Sequence, residues 1–377
     1  MAEMQTTEFE TDLSLFKYDT LEQLPTEYRD LEKNERTERI EAALEALGDD
    51  VVILGHNYQR REIVEHADFV GDSYGLSREA ANTDAEYVIF GGVTFMAESA
   101  DIITDDDQTV ILPSMEASCP MAGMAEALQV DAAWAEITAA APDAEIVPIT
   151  YMNSYADLKA FCASQGGLVC TSSNAHRAFE WALERGDKVL FLPDKHLGEN
   201  TAHRLGMADE TVTWDPWDPE EKDAEEVADR DLILWNGYCQ VHERFEETHV
   251  ERVREEYPDA NVVVHPECRR EVVEAADVVG STATIRETIA NAEPGETWAI
   301  GTEIHLAEHL QRWHPEVEVV PLCGDACMDC NAMRQIDPNY LAWVLEELVA
   351  GRERNAIEVA PEEKELAELA LDRMLEL

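Results

Sequence analysis

Three cysteines sit together near the C-terminus, in the stretch PLCGDACMDCNAM at residues 321–333: Cys323, Cys327 and Cys330, spaced C-x3-C-x2-C. Thiolates bind soft metals and carry redox chemistry, so this spacing admits three readings. It matches the way radical enzymes that use S-adenosylmethionine hold a [4Fe–4S] cluster. It also suits a zinc knuckle. In the third reading only one of the three works, together with thiols elsewhere in the chain. The radical-enzyme motif normally follows the first strand of a long barrel domain. Only 47 residues follow Cys330 here, and they read as a terminal pair of acidic helices, which removes the first reading.

The elements that would position such a site recur along the chain. Short β-branched runs read as buried parallel strands: residues 51–55, 87–92, 109–113, 145–150, 188–193, 232–235, 261–266, 297–301 and 317–321. Most alternate with longer polar, helix-like stretches, the pattern of parallel sheets covered on both faces. They also repeat as a group. The first strand of each group runs into a polar cluster, GHNYQ at 55–59, ITYMNS at 149–154 and VHPEC at 264–268. A second element ends in small hydroxyl residues, in FVGDSYGLS, LVCTSSNA and DVVGSTATI, and a third strand opens a helix with a glutamate at a matching place, Glu98, Glu199 or Glu308. Each group then reaches a cysteine, in SMEASCPMAG (Cys119), WNGYCQVHERF (Cys239) and the C-terminal stretch.

His56 precedes Cys119 by 63 residues and His265 precedes Cys330 by 65, while the middle copy is lengthened by an acidic insertion around TWDPWDPEEKDAEEVADRD. The expected fold is therefore α/β: three homologous α/β/α (Rossmann-like) units with short parallel sheets around a pseudo-threefold axis. The expected divisions are acidic leader helices at 1–45, units at 46–143, 144–258 and 259–335, and C-terminal helices at 336–377. Chemistry belongs at the C-terminal ends of the strands. One thiolate per unit leaves a structural zinc short of its usual four ligands, whereas a [4Fe–4S] cluster on three cysteines keeps one iron open as a Lewis acid. Cys162 and Cys170 read as inert core residues, and Cys268, after the HPE triplet, reads either way.

The remaining polar residues suit a small anionic substrate. His56, Tyr58, Asp72 and Ser73 come from the first unit, Tyr151, Asn153, Ser172 and Ser173 from the second, and His265, Glu267, Ser281 and Thr282 from the third. Hydroxyls at strand-to-helix turns either cap the helix or, beside its N-terminus, bind carboxylate or phosphate. Imidazole, phenol and carboxylate supply acids and bases.

Composition limits the partners. The formal charge is −53, from 81 acidic against 28 basic residues, only seven of them lysine. That field repels nucleic acid and anionic membranes, so neither is expected as a partner. Carboxylates spread along the whole chain with scarce lysine fit life in molar salt, where repulsion is screened within roughly 3 Å. The apolar share of 45% rules out a disordered acidic tail. No signal peptide or apolar span is visible, so a cytoplasmic protein with reduced cysteines is expected.

From about residue 50 to 345 these pieces, in this order, resemble the quinolinate synthase family: GHNYQ, FVGDSYGLS, CPMA, TYMNS, CTSSNA, GYCQVH, HPE and GSTATI. The resemblance implies an iron–sulfur enzyme of de novo NAD biosynthesis that condenses iminoaspartate with dihydroxyacetone phosphate, losing phosphate and water. An aspartate oxidase or dehydrogenase would supply the iminoaspartate. It implies a [4Fe–4S] cluster on Cys119, Cys239 and a C-terminal cysteine. Anchoring on Met333–Asp337 makes this Cys330, and anchoring on the first cysteine of the pair makes it Cys327. Repeat spacing favours Cys330, which lies 29 residues after Gly301, against 28 from Gly91 to Cys119. Substrate contacts are implied for His56, Ser73, Tyr151, Asn153, Ser172, His265, Glu267 and Thr282, and catalytic roles for Tyr58, Asp72, Tyr151, His242 and Glu267. Cys323 and Cys327 are then neighbours, inert or a redox pair, and the leader and insertion are assigned to the surface.

Overall fold

The structure, a computed structural model, describes residues 24–217, 224–324, 327 and 329–377. Its strands form three all-parallel sheets. The first holds β1 (Val51–His56), β2 (Phe69–Gly71), β3 (Tyr87–Gly91) and β4 (Thr109–Ile111) in the order β2-β1-β3-β4. The second holds β5 (Ile146–Tyr151), β6 (Leu168–Cys170), β7 (Lys188–Leu192), β8 (Thr211–Trp214) and β9 (Leu232–Trp235), ordered β6-β5-β7-β9-β8. The third holds β10 (Asn261–Val264), β11 (Val278–Val279), β12 (Thr297–Gly301) and β13 (Glu318–Pro321), ordered β11-β10-β12-β13. One order thus recurs three times, with β8 added at an edge of the middle sheet.

The strands form where the sequence is continuously apolar because both faces of each sheet are covered. Leu54, Ile89, Phe90, Val110, Val189, Phe191, Leu234, Val263 and Ile300 have no measurable exposure, and each such side chain contributes about 1.5–3 kcal/mol by leaving water. Parallel pairing sends all C-terminal strand ends of a sheet to one edge. The loops after β1, β5 and β10, and those after β4, β9 and β13, therefore carry the polar clusters and cysteines. Close backbone packing shapes one of them. A Cβ on Gly237 would lie 2.4 Å from the Pro193 carbonyl oxygen, so the turn that delivers Cys239 requires glycine there.

Three expectations are corrected. The acidic insertion is not all surface: Thr211–Trp214 form β8, and Trp214 and Val227 are buried in the core of the middle unit, although residues 218–223 lie outside the described residues. Nor does the described part of the acidic leader lie free. Helix Lys33–Leu47 packs on helix Pro338–Val349, burying Ile40 and Ala43. Arg39 Nε donates to Glu346 Oε1 at 2.7 Å and the Tyr28 hydroxyl donates to Glu346 Oε2 at 2.5 Å. The rest of the leader, residues 1–23, is outside the described residues. Finally, the cysteines are not all free: Cys323 and Cys327 are joined in a disulfide beside the core of the third sheet.

The three matching glutamates occupy the same fifth position of helices Thr94–Ile103, Lys195–Arg204 and Ile304–Trp313 but different surroundings. Glu98 is fully buried and accepts the Ala156 amide at 2.9 Å, Glu199 lies 3.4 Å from His196, and Glu308 is exposed. They record the repeat and do not form a common site.

Candidate active site

One cavity collects residues from all three sheets. Including its open mouth it encloses about 740 Å³. His56 and Tyr58 reach it from the end of β1, Tyr151 and Asn153 from β5, and His265 and Glu267 from β10. Asp72 and Ser73 enter at the start of helix Ser73–Asn82, Ser172 and Ser173 just before helix Ala175–Leu183, and Ser281 and Thr282 at the start of helix Thr282–Ala290. Cys119, Cys239 and Cys330 also line it, one from the loop after the edgeward strand β4, β9 or β13 of each sheet. All three thiols are free, whereas Cys327 is bonded to Cys323 and lines no part of the cavity. Cys162, Cys170 and Cys268 are buried in the core, Cys268 with its thiol 3.6 Å from the Gly301 carbonyl.

Capping accounts for two of these turn residues. Asp72 Oδ1 accepts the Gly75 amide at 2.7 Å and Ser281 Oγ accepts that of Thr284 at 3.4 Å, so these two cap their helices while lining the cavity. Three helix N-termini, of helices at least two turns long, thus meet at one space. No lysine or arginine lines it among the described residues. The groups there able to favour an anion are backbone N–H groups and helix dipoles.

His242 departs from expectation. It is buried and does not line the cavity, because the turn His242–Arg244 sends its ring behind Glu267. There its Nδ1 lies 2.6 Å from Glu267 Oε2 and its Nε2 lies 2.9 Å from Thr302 Oγ1. Thr302 Oγ1 in turn lies 2.6 Å from the Tyr58 hydroxyl, and the Tyr151 hydroxyl lies against the Glu267 carboxylate. A chain Tyr58–Thr302–His242–Glu267–Tyr151 therefore joins two phenols through one carboxylate. Glu267 Oε1 is buried and has no hydrogen-bond partner among the described residues.

The first and third units repeat a detail of histidine chemistry. The Tyr58 amide donates to His56 Nδ1 at 3.1 Å and the Glu267 amide donates to His265 Nδ1 at 3.3 Å. With Nδ1 an acceptor, each neutral ring carries its proton on Nε2. Burial holds both rings neutral, lowering His56 and His265 to about 3 against the opposing charge of Glu267. Burial pushes the Glu267 carboxyl up, but His242 beside it and the hydrogen bonds from His242 and Tyr151 more than offset this and leave it below the ordinary carboxylate range. Burial also raises the thiols, Cys119 to about 12 and Cys330 to about 11, so a metal entering this site displaces protons.

The neutral histidines predict acid sensitivity. Both folded-state values lie below the ordinary 6.5, so below that pH the unfolded chain binds protons that the folded chain refuses. Each such proton costs up to roughly 1.4 kcal/mol of stability per pH unit. In molar salt the denaturant midpoint of the metal-free protein is expected to fall steadily from pH 7 to pH 5. His56→Gln should flatten that slope. An unchanged slope in the variant would refute the assignment.

Sequence reasoning missed several supporting residues. Asn57, within GHNYQ, donates from Nδ2 to Thr282 Oγ1 at 3.2 Å and accepts Arg286 Nη1 at 3.0 Å, tying the first unit to the third. Thr302 was signalled only by its place just after β12. Asp194 and Glu303 start the third-strand helices of their units and touch the cysteine loops.

Among known proteins, the profile of the family described as Quinolinate synthetase A protein matches residues 38–376. The chain is 82% identical to the quinolinate synthase of Haloarcula marismortui and 84% identical to that of Halobacterium salinarum, in each case over 99% of this chain and 100% of the relative. It is 51% identical to the quinolinate synthase of Acidobacterium capsulatum, over 93% of this chain and 95% of that one. The two halophilic relatives agree with the molar-salt reading of the charge. No helix among the described residues is long and apolar enough to cross a membrane. With three parallel sheets turning their strand ends and their cysteines toward one cavity, and a profile match over nearly its whole length, the chain belongs to the quinolinate synthase family and is an enzyme of that type.

Proposed function

We propose that the cavity condenses iminoaspartate with dihydroxyacetone phosphate, releasing phosphate and water to give quinolinate, and that Cys119, Cys239 and Cys330 hold a [4Fe–4S] cluster there. The observation that carries this reading is the convergence of one free thiol from each sheet on a space bordered by three helix N-termini. Three thiols are the right donor set for a cluster with one open iron, which when bound supplies a Lewis acid. A mononuclear site on Cys239, His242 and Glu267, whose ligand atoms lie within 4.8 Å of one another, is less favoured, because His242 and Glu267 are already engaged with each other.

The protein's own residues account for binding and proton movement. The two substrates carry three anionic groups, two carboxylates and one phosphate, and three helix N-termini with Ser73, Ser172, Ser173, Ser281 and Thr282 receive them. The neutral Nε2–H groups of His56 and His265 donate to substrate oxygen. Each new bond requires a proton taken from carbon or nitrogen and one given to a departing oxygen. Glu267, ionised and with Oε1 unpartnered, takes the first. Tyr151, against Glu267, gives the second, and Tyr58 is tied to the same carboxylate through Thr302 and His242. His242 is a positioning residue. Asn153 lies beside Tyr151 for the substrate, and Asp72 acts by capping the helix that presents Ser73. A cytoplasmic enzyme fed with iminoaspartate by an aspartate oxidase or dehydrogenase fits this chemistry.

The test is anaerobic reconstitution in molar salt followed by addition of both substrates. Stoichiometric formation of quinolinate and phosphate is expected. A fully loaded protein that yields neither would overturn the reading, and iron bound without inorganic sulfide would favour the mononuclear site.

A further inference from the structure

Two of the three cysteine loops are held by a buried carboxyl from their own unit. Asp194 starts helix Lys195–Arg204 just after β7, is fully buried, and accepts the Leu197 amide on Oδ1 at 2.8 Å. Its other oxygen, Oδ2, accepts the backbone N–H of Cys239 at 3.2 Å. Glu303 stands at the same place in the third unit, before helix Ile304–Trp313 and after β12, and is also fully buried. Its Oε2 accepts the His305 amide at 2.8 Å, while its Oε1 accepts the N–H of Cys330 at 3.1 Å and contacts His305 Nδ1 at 2.8 Å. In each case one oxygen caps a helix and the other grips a cysteine. The first unit does this without a carboxyl: the Thr94 amide and hydroxyl bind the Ala117 carbonyl, at 2.9 and 3.1 Å, two residues before Cys119.

Burying a carboxyl is costly unless both of its oxygens are used, and capping alone needs only one oxygen, which serine supplies as well. The second oxygen is therefore what the carboxyl adds. We propose that Asp194 and Glu303 are positioning residues for metal-binding cysteines: by taking the amide N–H of Cys239 and of Cys330, they fix where each thiol points and keep that N–H from turning toward sulfur. The inference rests on the assignment of the cluster to Cys119, Cys239 and Cys330. N–H donation to cluster sulfur raises a cluster's reduction potential. Outer partners of metal ligands typically affect retention 10- to 100-fold.

Asp194→Ser keeps a helix-capping hydroxyl and lacks the reach to Cys239, and Glu303→Gln keeps the size and removes one acceptor. After anaerobic loading, iron release to a chelator is expected to be about 10-fold faster or more in each variant. The ratio of reduced to oxidised cluster at a fixed poise should rise about tenfold, equivalent to about 59 mV for one electron. The metal-free variants should melt with the wild type. Wild-type release and potential in both variants would overturn the proposal, as would cluster loss accompanied by equal loss of metal-free stability. If the wild type itself binds no iron and sulfide, the cluster assignment fails first. A loaded wild type with indifferent variants defeats only the positioning role.

Discussion

Cys330→Ala is expected to abolish iron–sulfur loading and quinolinate formation, while Cys323→Ala and Cys327→Ala keep the cluster. The three cysteines are close in sequence but separate in space. Cys330 lines the cavity with a free thiol and opens helix Asn331–Arg334. Burial holds that thiol protonated until metal arrives, at about 11. Cys323 and Cys327 are bonded to each other, with Cys323 buried in the core of the third unit. Removing one of three thiolates leaves a second iron without a protein ligand, so the loss should be complete, where outer positions give graded effects. Cys119→Ala and Cys239→Ala should behave as Cys330→Ala. Iron and sulfide content and visible absorption after anaerobic loading measure this. A cluster lost from Cys323→Ala alone, and kept by Cys330→Ala, would move the third ligand seven residues upstream.

The apparent triplet in PLCGDACMDCNAM shows what one sequence discloses about this fold. The repeat was legible because parallel strands buried on both faces must be short, continuous and β-branched, and because parallel sheets concentrate chemistry at strand C-termini. Aligning three such groups was enough to bring Cys119, Cys239 and Cys330 to corresponding loops. The very short strands β2, β6 and β11 left no periodic signal and were visible only through the hydroxyls that follow them. Strand β8 was hidden differently. Thr211–Trp214 runs straight into an acidic stretch, and the charge of its neighbours masked the apolar run that buries Val212 and Trp214. The leader misled for the same reason, since only Ile40 and Ala43 of helix Lys33–Leu47 are buried and the rest of its surface is dressed for high salt. The orientation of His242 was beyond reach as well. Its distance of three residues from Cys239 gives proximity, but only the turn geometry sends the ring behind Glu267.

Glu267→Gln is expected to lower kcat by about 10²- to 10⁴-fold with the cluster retained, the range for removing a general base. The amide matches the carboxylate in size, so the buried contacts with His242 and Tyr151 lose their charge and not their packing. What disappears is an acceptor in the cavity that has no hydrogen-bond partner among the described residues and is held ionised. The sign of the pH dependence follows from its environment. Burial raises Glu267, but His242 beside it and the hydrogen bonds from His242 and Tyr151 outweigh this and keep it below the ordinary carboxylate range, so activity is lost as pH falls through that low value. In His242→Gln one of those offsets is gone while burial remains. The acid limb of kcat/KM should then move toward higher pH, with kcat on the plateau falling far less than in Glu267→Gln. The two variants thus separate a group that moves the proton from one that holds it ready. Near-normal turnover by a fully loaded Glu267→Gln enzyme would transfer the role of base to another group. An acid limb unmoved in His242→Gln would leave that histidine a packing role only.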